Sequence, residues 1–219
     1  GGGLSAFETL WSNYYTLVTS PPARSRPPLP QHHAYYVLLE SQGADVDRDR
    51  VLFESALEAA LEQGLITDAA IAQSESECQA FWDIRDDVEQ VFVGGHAFVF
   101  DISLPIDTME GYVSAVAERL ADTPAQQFWV FGHVGDGNLH LAIQIAEGPS
   151  DANQRLIEAC VYEPLSGCKG AVSAEHGIGL EKKPWLPISR SPEEIRLMKT
   201  LKAALDPKSI LNPGKVVDP

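Results

Sequence analysis

The chain is poor in cysteine, poor in basic residues and without any long apolar run. Cys78, Cys160 and Cys168 are an odd number without metal-site spacing, which points to a reduced compartment rather than a disulfide framework. No stretch of about 18 apolar residues occurs, so no transmembrane helix is expected, and no signal-peptide pattern opens the chain. Lys and Arg number 16 against 31 Asp and Glu, a formal net charge of −15. That balance argues against nucleic acid, whose affinity rests on cations neutralising phosphates, and against docking on an anionic membrane. A small anionic substrate stays open, because one local Arg or metal outweighs the global field.

What is present suits a soluble core: 44% of the 219 residues are hydrophobic. The length allows one large or two small domains, nothing in the middle reads as a long linker, and no internal repeat is detectable. Ser5-Ala6-Phe7-Glu8 fits a capping box, followed by Phe7, Leu10, Tyr14 and Leu17 at helical spacing. The proline-rich segment 20–31 reads as an extended loop. Tyr35 to Glu40 reads as a buried strand. Residues 47–62 read as a helix with Leu52, Ala56, Ala60 and Leu61 inward and Gly64 as terminator. A second helix is expected over 75–90, a strand over 97–104, and a helix from Asp107 to about Ala121. A further helix runs from Ser150 to Gly167. Ser191-Pro192-Glu193-Glu194 caps a last helix with Pro at its first position, presenting Ile195, Met198, Leu201 and Leu205. The order predicts an α+β fold, an antiparallel sheet with helices packed on one face and a ferredoxin-like core.

The centre of the chain is Phe131-Gly132-His133-Val134-Gly135-Asp136-Gly137-Asn138-Leu139-His140, between apolar runs that read as strands. Asp136-Gly137 is a hairpin signal, since a type I′ turn needs φ > 0 at both central positions. With that turn, His133 lies directly opposite His140, and paired Cβ atoms are roughly 4.5–5.5 Å apart. Two such imidazoles can converge on one metal ion. The register also sorts Leu139, Leu141 and Ile143 onto a core-like face, and His140, Ala142 and Gln144 onto the other. A longer loop would break this register.

A second stretch answers the first: Ser173-Ala174-Glu175-His176-Gly177-Ile178-Gly179. Adjacent Glu and His followed by two glycines suit a tight loop where backbone approaches a ligand closely. His133, His140 and Glu175 make a two-imidazole, one-carboxylate set that leaves coordination positions open. Taken singly, each residue is better read as capping a turn or facing solvent; the set, with its spacing and glycines, favours a site.

These two stretches resemble the signatures of the FAD-linked D-2-hydroxy-acid dehydrogenases, the group of D-lactate dehydrogenases, the glycolate oxidase flavoprotein subunit and D-2-hydroxyglutarate dehydrogenase. Leu211-Asn212-Pro213-Gly214-Lys215 resembles the family's usual C-terminal end. The resemblance runs from about Leu4 to Val216 and covers the C-terminal half of such an enzyme, so it implies one substrate- and metal-binding domain over residues 1–219, with the FAD-binding domain expected N-terminal to these residues.

The resemblance implies oxidation of a D-2-hydroxy acid to the 2-oxo acid with hydride transfer to FAD. A divalent ion (Zn, Mn or Fe) on His133, His140 and Glu175 would polarise the substrate hydroxyl, and His176 would take its proton as general base. Arg85 corresponds to an Arg that clamps a substrate carboxylate; a local salt bridge to Asp83, Asp86 or Glu89 is the other reading. Asn138, Asn212 and Lys215 are candidates to approach the cofactor. Three positions depart from the D-2-hydroxyglutarate enzymes: Glu89 where they have Thr, Val99 where they have Lys, and Ala142 where they have Asn. Losing a Lys and gaining a Glu disfavours a second substrate carboxylate, so lactate or glycolate fits better than a dicarboxylate.

The expected partners are therefore a small 2-hydroxy acid and the FAD domain of the same protein; a homodimer is compatible with the sequence. The expected location is cytoplasmic, or mitochondrial in a eukaryote. Two rivals are a metal-dependent hydrolase, for which no His-Glu-x-x-His helix or nucleophile is evident, and a non-catalytic metal-binding or scaffold domain of the same fold.

Overall fold

A computed structural model describes residues 3–146 and 148–218. Among the described residues, strands and α-helices follow in the order β1 (Leu4–Trp11), α1 (Ser12–Thr19), β2 (Tyr35–Ser41), α2 (Val46–Glu62), α3 (Glu75–Asp86), β3 (His96–Ser103), α4 (Met109–Leu120), β4 (Ala125–Gly132), β5 (Asn138–Ile145), α5 (Asp151–Tyr162), α6 (Leu165–Cys168), α7 (Leu186–Ser189) and α8 (Pro192–Leu205). The strands pair antiparallel, and the class is α+β. The chain divides into two compact units. One comprises Gly1–Val93 with Trp129–Gly135, the other Gly94–Phe128 with Asp136–Pro219.

In the first unit β1 is the middle strand. It pairs with β2 from Trp11↔Tyr35 to Leu4↔Ser41, and with the end of β4 through Thr9↔Gly132 and Leu10↔Phe131. The helix expected from Ser5 is therefore a strand up to Trp11. Ser5 donates its hydroxyl to Glu40 Oε1 on β2 at 2.8 Å, so it caps nothing. The apparent helical spacing of Phe7, Leu10, Tyr14 and Leu17 comes from joining the inward residues of a strand to those of the helix after it. Tyr14 is fully buried and stacks on Phe131 with centroids 4.1 Å apart, while Tyr15 stacks on Tyr36 at 3.5 Å. Each such pair contributes about 0.5–1.5 kcal/mol beyond area burial.

β2 is less covered than its apolar sequence suggests, with Tyr36 its buried residue. Helix α2 starts at an Asp45 cap and stops where expected, Gly64 standing at φ 68. Its Leu52 and Leu61 are exposed rather than inward, and none of its described residues is buried. Helix α3 ends at Asp86, and a 3₁₀ turn, Val88–Phe92, follows.

In the second unit β3 and β5 form an unbroken ladder from His96↔Ile145 to Ser103↔Asn138. Leu139, Leu141 and Ile143 lie on one face of β5, and Asn138, His140, Ala142 and Gln144 on the other, the parity expected from the sequence. All eight residues of β5 are buried, so both faces of this strand are covered. Tyr112 of α4 donates to the Val161 carbonyl of α5 at 2.8 Å, and Val116, Ile157 and Leu165 of the helices α4 to α6 are fully buried. The helix opened by Ser150 stops at Tyr162, with Pro164 introducing the separate α6. Helix α8 carries the expected capping box, Ser191 with Glu194, although its Leu201 and Leu205 are exposed.

The link between β4 and β5 corrects the hairpin. β4 ends at Gly132, Val134–Asp136 form a 3₁₀ turn, and β5 begins at Asn138. The connection is thus longer than a two-residue type I′ turn, and His133 stands in the loop rather than in a strand pair. His140 is paired instead with Asp101 of β3. Gly137 stands at φ 85, and its carbonyl accepts the Leu104 amide at 2.9 Å, which draws the loop onto the end of β3.

Candidate functional site

Asp101 organises the expected site residues of the second unit. It sits mid-strand in β3 with a side chain that is 0% exposed. A buried carboxylate must be fully hydrogen-bonded, and this one gathers donors from a loop far along the chain. It accepts the backbone N–H groups of Glu175 at 3.0 Å and of His176 at 2.9 Å, and the Ser173 hydroxyl at 3.0 Å. The Lys182 ammonium adds an ion pair at 3.3 Å and also bonds Ser173 Oγ at 2.9 Å. Burial pushes the Asp101 carboxyl up, but the amides of His176 and Glu175, the Lys182 charge and the Ser173 hydroxyl outweigh it and bring the pKa to about 2.

Two successive amides aimed at one carboxylate force the backbone to turn at Glu175-His176, and Gly177 at φ 74 and Gly179 at φ 56 continue the turn. Adjacent side chains that an extended segment would send to opposite sides therefore come together. Glu175 Oε2 lies 3.8 Å from His140 Nε2. The His176 ring stacks over that of His140 with centroids 6.1 Å apart. His140 is buried, whereas Glu175 and His176 are about half exposed and reachable by a small molecule. Two ligand atoms each about 2.0–2.2 Å from one ion stand up to about 4.2 Å apart. The His140–Glu175 pair meets that requirement.

At the start of β5, Asn138 is buried with neither side-chain amide atom hydrogen-bonded. An orphaned buried amide costs about 1–3 kcal/mol per group, so its polar atoms fit a role against a cofactor or substrate edge. Asn212 and Lys215 are exposed and bond one another, Lys215 Nζ donating to Asn212 Oδ1 at 3.3 Å. Their segment is tied back to the site loop, because Val216 N donates to the Gly179 carbonyl at 2.9 Å.

The first unit holds the other expected residues. Arg85, near the end of α3, pairs through Nε with Glu8 Oε2 at 2.9 Å and reaches Asp86 at 3.3 Å. Its Nη2 lies 2.9 Å from His133 Nε2. His133 Nδ1 lies 2.7 Å from the other oxygen of Glu8. The guanidinium also sits over the Phe131 ring at 5.9 Å. The local-ion-pair reading of Arg85 is met in part by Asp86, but the principal partner, Glu8, comes from β1.

The structure thus brings together His140, Glu175 and His176 in one unit and Arg85 with His133 in the other. Asp101, Ser173 and Lys182 are given no role by the sequence motifs, and Glu8 only that of a helix cap. A carboxylate inside an apolar strand run is the available signal for both acids: Asp101 follows Phe100, and Glu8 follows Phe7. Among the departures, Val99 faces Ala142 directly across the β3–β5 ladder, adjacent to the Asp101–His140 pair on the same face.

Comparison with known proteins gives a consistent picture. The profile described as FAD linked oxidases, C-terminal domain, matches residues 1–216. The mitochondrial D-2-hydroxyglutarate dehydrogenase of Arabidopsis thaliana is 40% identical over 215 residues, 98% of this chain and 38% of that protein. The Bos taurus protein of the same name is 38% identical over 98% of this chain and 39% of its own length. A mitochondrial Schizosaccharomyces pombe protein bearing a D-lactate dehydrogenase name is 37% identical over 98% of this chain and 42% of its own length. The chain thus spans about two-fifths of these relatives. Among solved structures, the 4-ethylphenol oxidase of Gulosibacter chungangensis, in complex with isoeugenol, shares the fold. Its TM-score is 0.59 at 11% identity, over 96% of this chain and 47% of that one.

Proposed function

The chain belongs to the family of FAD linked oxidases, C-terminal domain, and from that premise we propose that it is the substrate-binding half of a flavin-dependent D-2-hydroxy-acid dehydrogenase. The observation that carries this reading is the gathering of His140, Glu175 and His176 by the buried Asp101. An imidazole and a carboxylate at ligand spacing beside a second, accessible imidazole provide both a cation site and a base.

In this reading His133, His140 and Glu175 would hold a divalent ion, which as a Lewis acid would lower the pKa of the substrate hydroxyl. Zinc, manganese and iron all accept such a donor set. The substrate's Cα–H would pass as hydride to FAD, held mainly by an N-terminal domain. The work of this chain's own residues is binding, orientation and proton transfer. His176 takes the hydroxyl proton. Arg85 offers its planar fork to the substrate carboxylate. Asn138 turns its orphaned amide to a polar edge of substrate or cofactor, and Asn212 and Lys215 stand on the tail tied to the same loop. The product is the 2-oxo acid.

The substrate is a small monocarboxylate such as D-lactate or glycolate. Val99 and Ala142, side by side next to the His140 pair, make an apolar spot where a second carboxylate would need donors. In a eukaryotic host the protein works in the mitochondrion, as the names of its relatives do for them, and otherwise in the cytoplasm. The test is flavin reduction by a panel of D-2-hydroxy acids together with metal analysis of the full-length protein. Reduction by lactate or glycolate with stoichiometric metal supports the reading; reduction by none of the panel overturns it.

A further inference from the structure

Glu8 has no role in the chemistry above, yet it is almost fully buried and touches two of its residues. Its Oε1 lies 2.7 Å from His133 Nδ1 and its Oε2 lies 2.9 Å from Arg85 Nε. Its side chain is 6% exposed, and that of Arg85 is 13% exposed. A carboxylate held out of water by two specific partners orients them as firmly as they hold it.

Donor and acceptor chemistry fixes more than geometry alone. A guanidinium only donates and an ionised carboxylate only accepts. Arg85 Nη2 lies 2.9 Å from His133 Nε2 and 3.5 Å from Nδ1, so it stands against the side of the ring rather than on the axis of either nitrogen. Glu8 Oε1, 2.7 Å from Nδ1, requires a proton there. In the neutral ring that contact selects the tautomer with Nδ1 protonated and Nε2 carrying the lone pair. Which nitrogen of an imidazole is left for a ligand is set by the bond that the other one makes, and here Glu8 makes it.

We propose that Glu8 is the positioning residue of the site: it fixes the tautomer and orientation of His133 so that Nε2 is the ligand atom, and holds Arg85 by its Nε. The metal role of His133 rests on the function proposed above, whereas the tautomer stands on the contact of Glu8 with His133 itself. The Arg85 guanidinium stands 2.9 Å from Nε2, so its positive charge opposes a cation bound there. Glu8 and Arg85 are therefore expected to act on metal affinity with opposite signs. Removing the anion weakens binding, and removing the competing cation strengthens it. A loss of packing alone would weaken binding in both variants.

The experiment has two arms on the full-length protein. First, nitrogen-15 shifts of the His133 ring in the metal-free protein read the tautomer. The Nδ1–H form is expected; a predominant Nε2–H form overturns the proposal. Second, Zn²⁺ and Mn²⁺ affinities are measured by chelator competition in wild type, Glu8→Leu, Glu8→Gln and Arg85→Ala. Glu8→Leu is expected to bind about 10–100-fold more weakly, as for other lost carboxylate–histidine supports. Glu8→Gln, whose amide oxygen still accepts from Nδ1–H, is expected to recover part of that loss, and Arg85→Ala to bind more tightly than wild type. Equal affinity of wild type and Glu8→Leu overturns the proposal. If wild type binds neither ion, the metal reading fails, and the tautomer arm alone still decides the role of Glu8.

Discussion

Val99 and Ala142 stand directly opposite one another in the β3–β5 ladder, next to the pair formed by Asp101 and His140. Cβ atoms of directly opposed residues are roughly 4.5–5.5 Å apart, so these two positions form one apolar spot beside a proposed ligand. A Lys and an Asn there would supply an ammonium and an amide instead. Val99→Lys combined with Ala142→Asn, in the full-length protein, is expected to shift kcat/KM toward D-2-hydroxyglutarate relative to D-lactate by about tenfold or more. One added charge-assisted hydrogen bond contributes about 1.5–3 kcal/mol. Steady-state kinetics on both acids check it, and an unchanged ratio would remove Val99 and Ala142 from specificity.

Asp101 carries a stability signature in acid. Its folded pKa, about 2, lies below the ordinary value of 3.8, so its ionised form favours the folded state. That contribution is fully present above about pH 4 and is lost as pH falls from there toward 2. It amounts to roughly 2 kcal/mol. Asp101→Asn is expected to lower stability at neutral pH and to flatten the acid limb of the urea-unfolding profile. A variant with the wild-type pH dependence would show that the carboxylate is not what holds the loop.

Gly137 and Gly177 separate two kinds of glycine. Both have positive φ, 85° and 74°, but a Cβ at Gly137 would lie 2.8 Å from the Leu104 carbonyl oxygen, while one at Gly177 meets nothing within 4 Å. Gly137→Ala is expected to cost about 2–4 kcal/mol, from overpacking on top of backbone strain, and Gly177→Ala about 1 kcal/mol from strain alone. Thermal unfolding of the two variants compares them directly; equal shifts in Tm would contradict the close approach at Gly137.

Much of this arrangement is legible in the sequence. The apolar runs place β4 and β5 and the parity of His140, Ala142 and Gln144, and the capping box of Ser191 and Glu194 places α8. The two motifs single out His140, Glu175 and His176 by residue type and spacing alone. What the sequence misleads on is local. The Ser5–Glu8 box looks like a helix start because its fit to the template ignores that Glu40, far along the chain, is the partner of Ser5. The Asp136-Gly137 signal is overridden by a 3₁₀ turn and the bond from Leu104. Glu8 and Asp101 bond residues more than 70 positions away, and no short-range pattern reports such pairings.

Glu175 and His176 are adjacent but are assigned different work. In the full-length protein Glu175→Gln is expected to lose metal and activity together. His176→Asn is expected to keep its metal and to slow flavin reduction by about 10²–10⁴-fold, the usual loss on removing a general base. Metal content and stopped-flow flavin bleaching distinguish them. Loss of metal in His176→Asn, with retention in Glu175→Gln, would reverse the two roles.

The central claim, a flavin-linked oxidation supported by His140, Glu175 and His176, is tested most directly by mixing the full-length oxidised protein anaerobically with D-lactate, glycolate and D-2-hydroxyglutarate and following the flavin absorbance. The expected result is rapid bleaching by lactate or glycolate, slower bleaching by D-2-hydroxyglutarate, and loss of bleaching after chelation with recovery on adding Zn²⁺ or Mn²⁺. A flavin that stays oxidised with every acid, or that is reduced equally well with the metal removed, would contradict it.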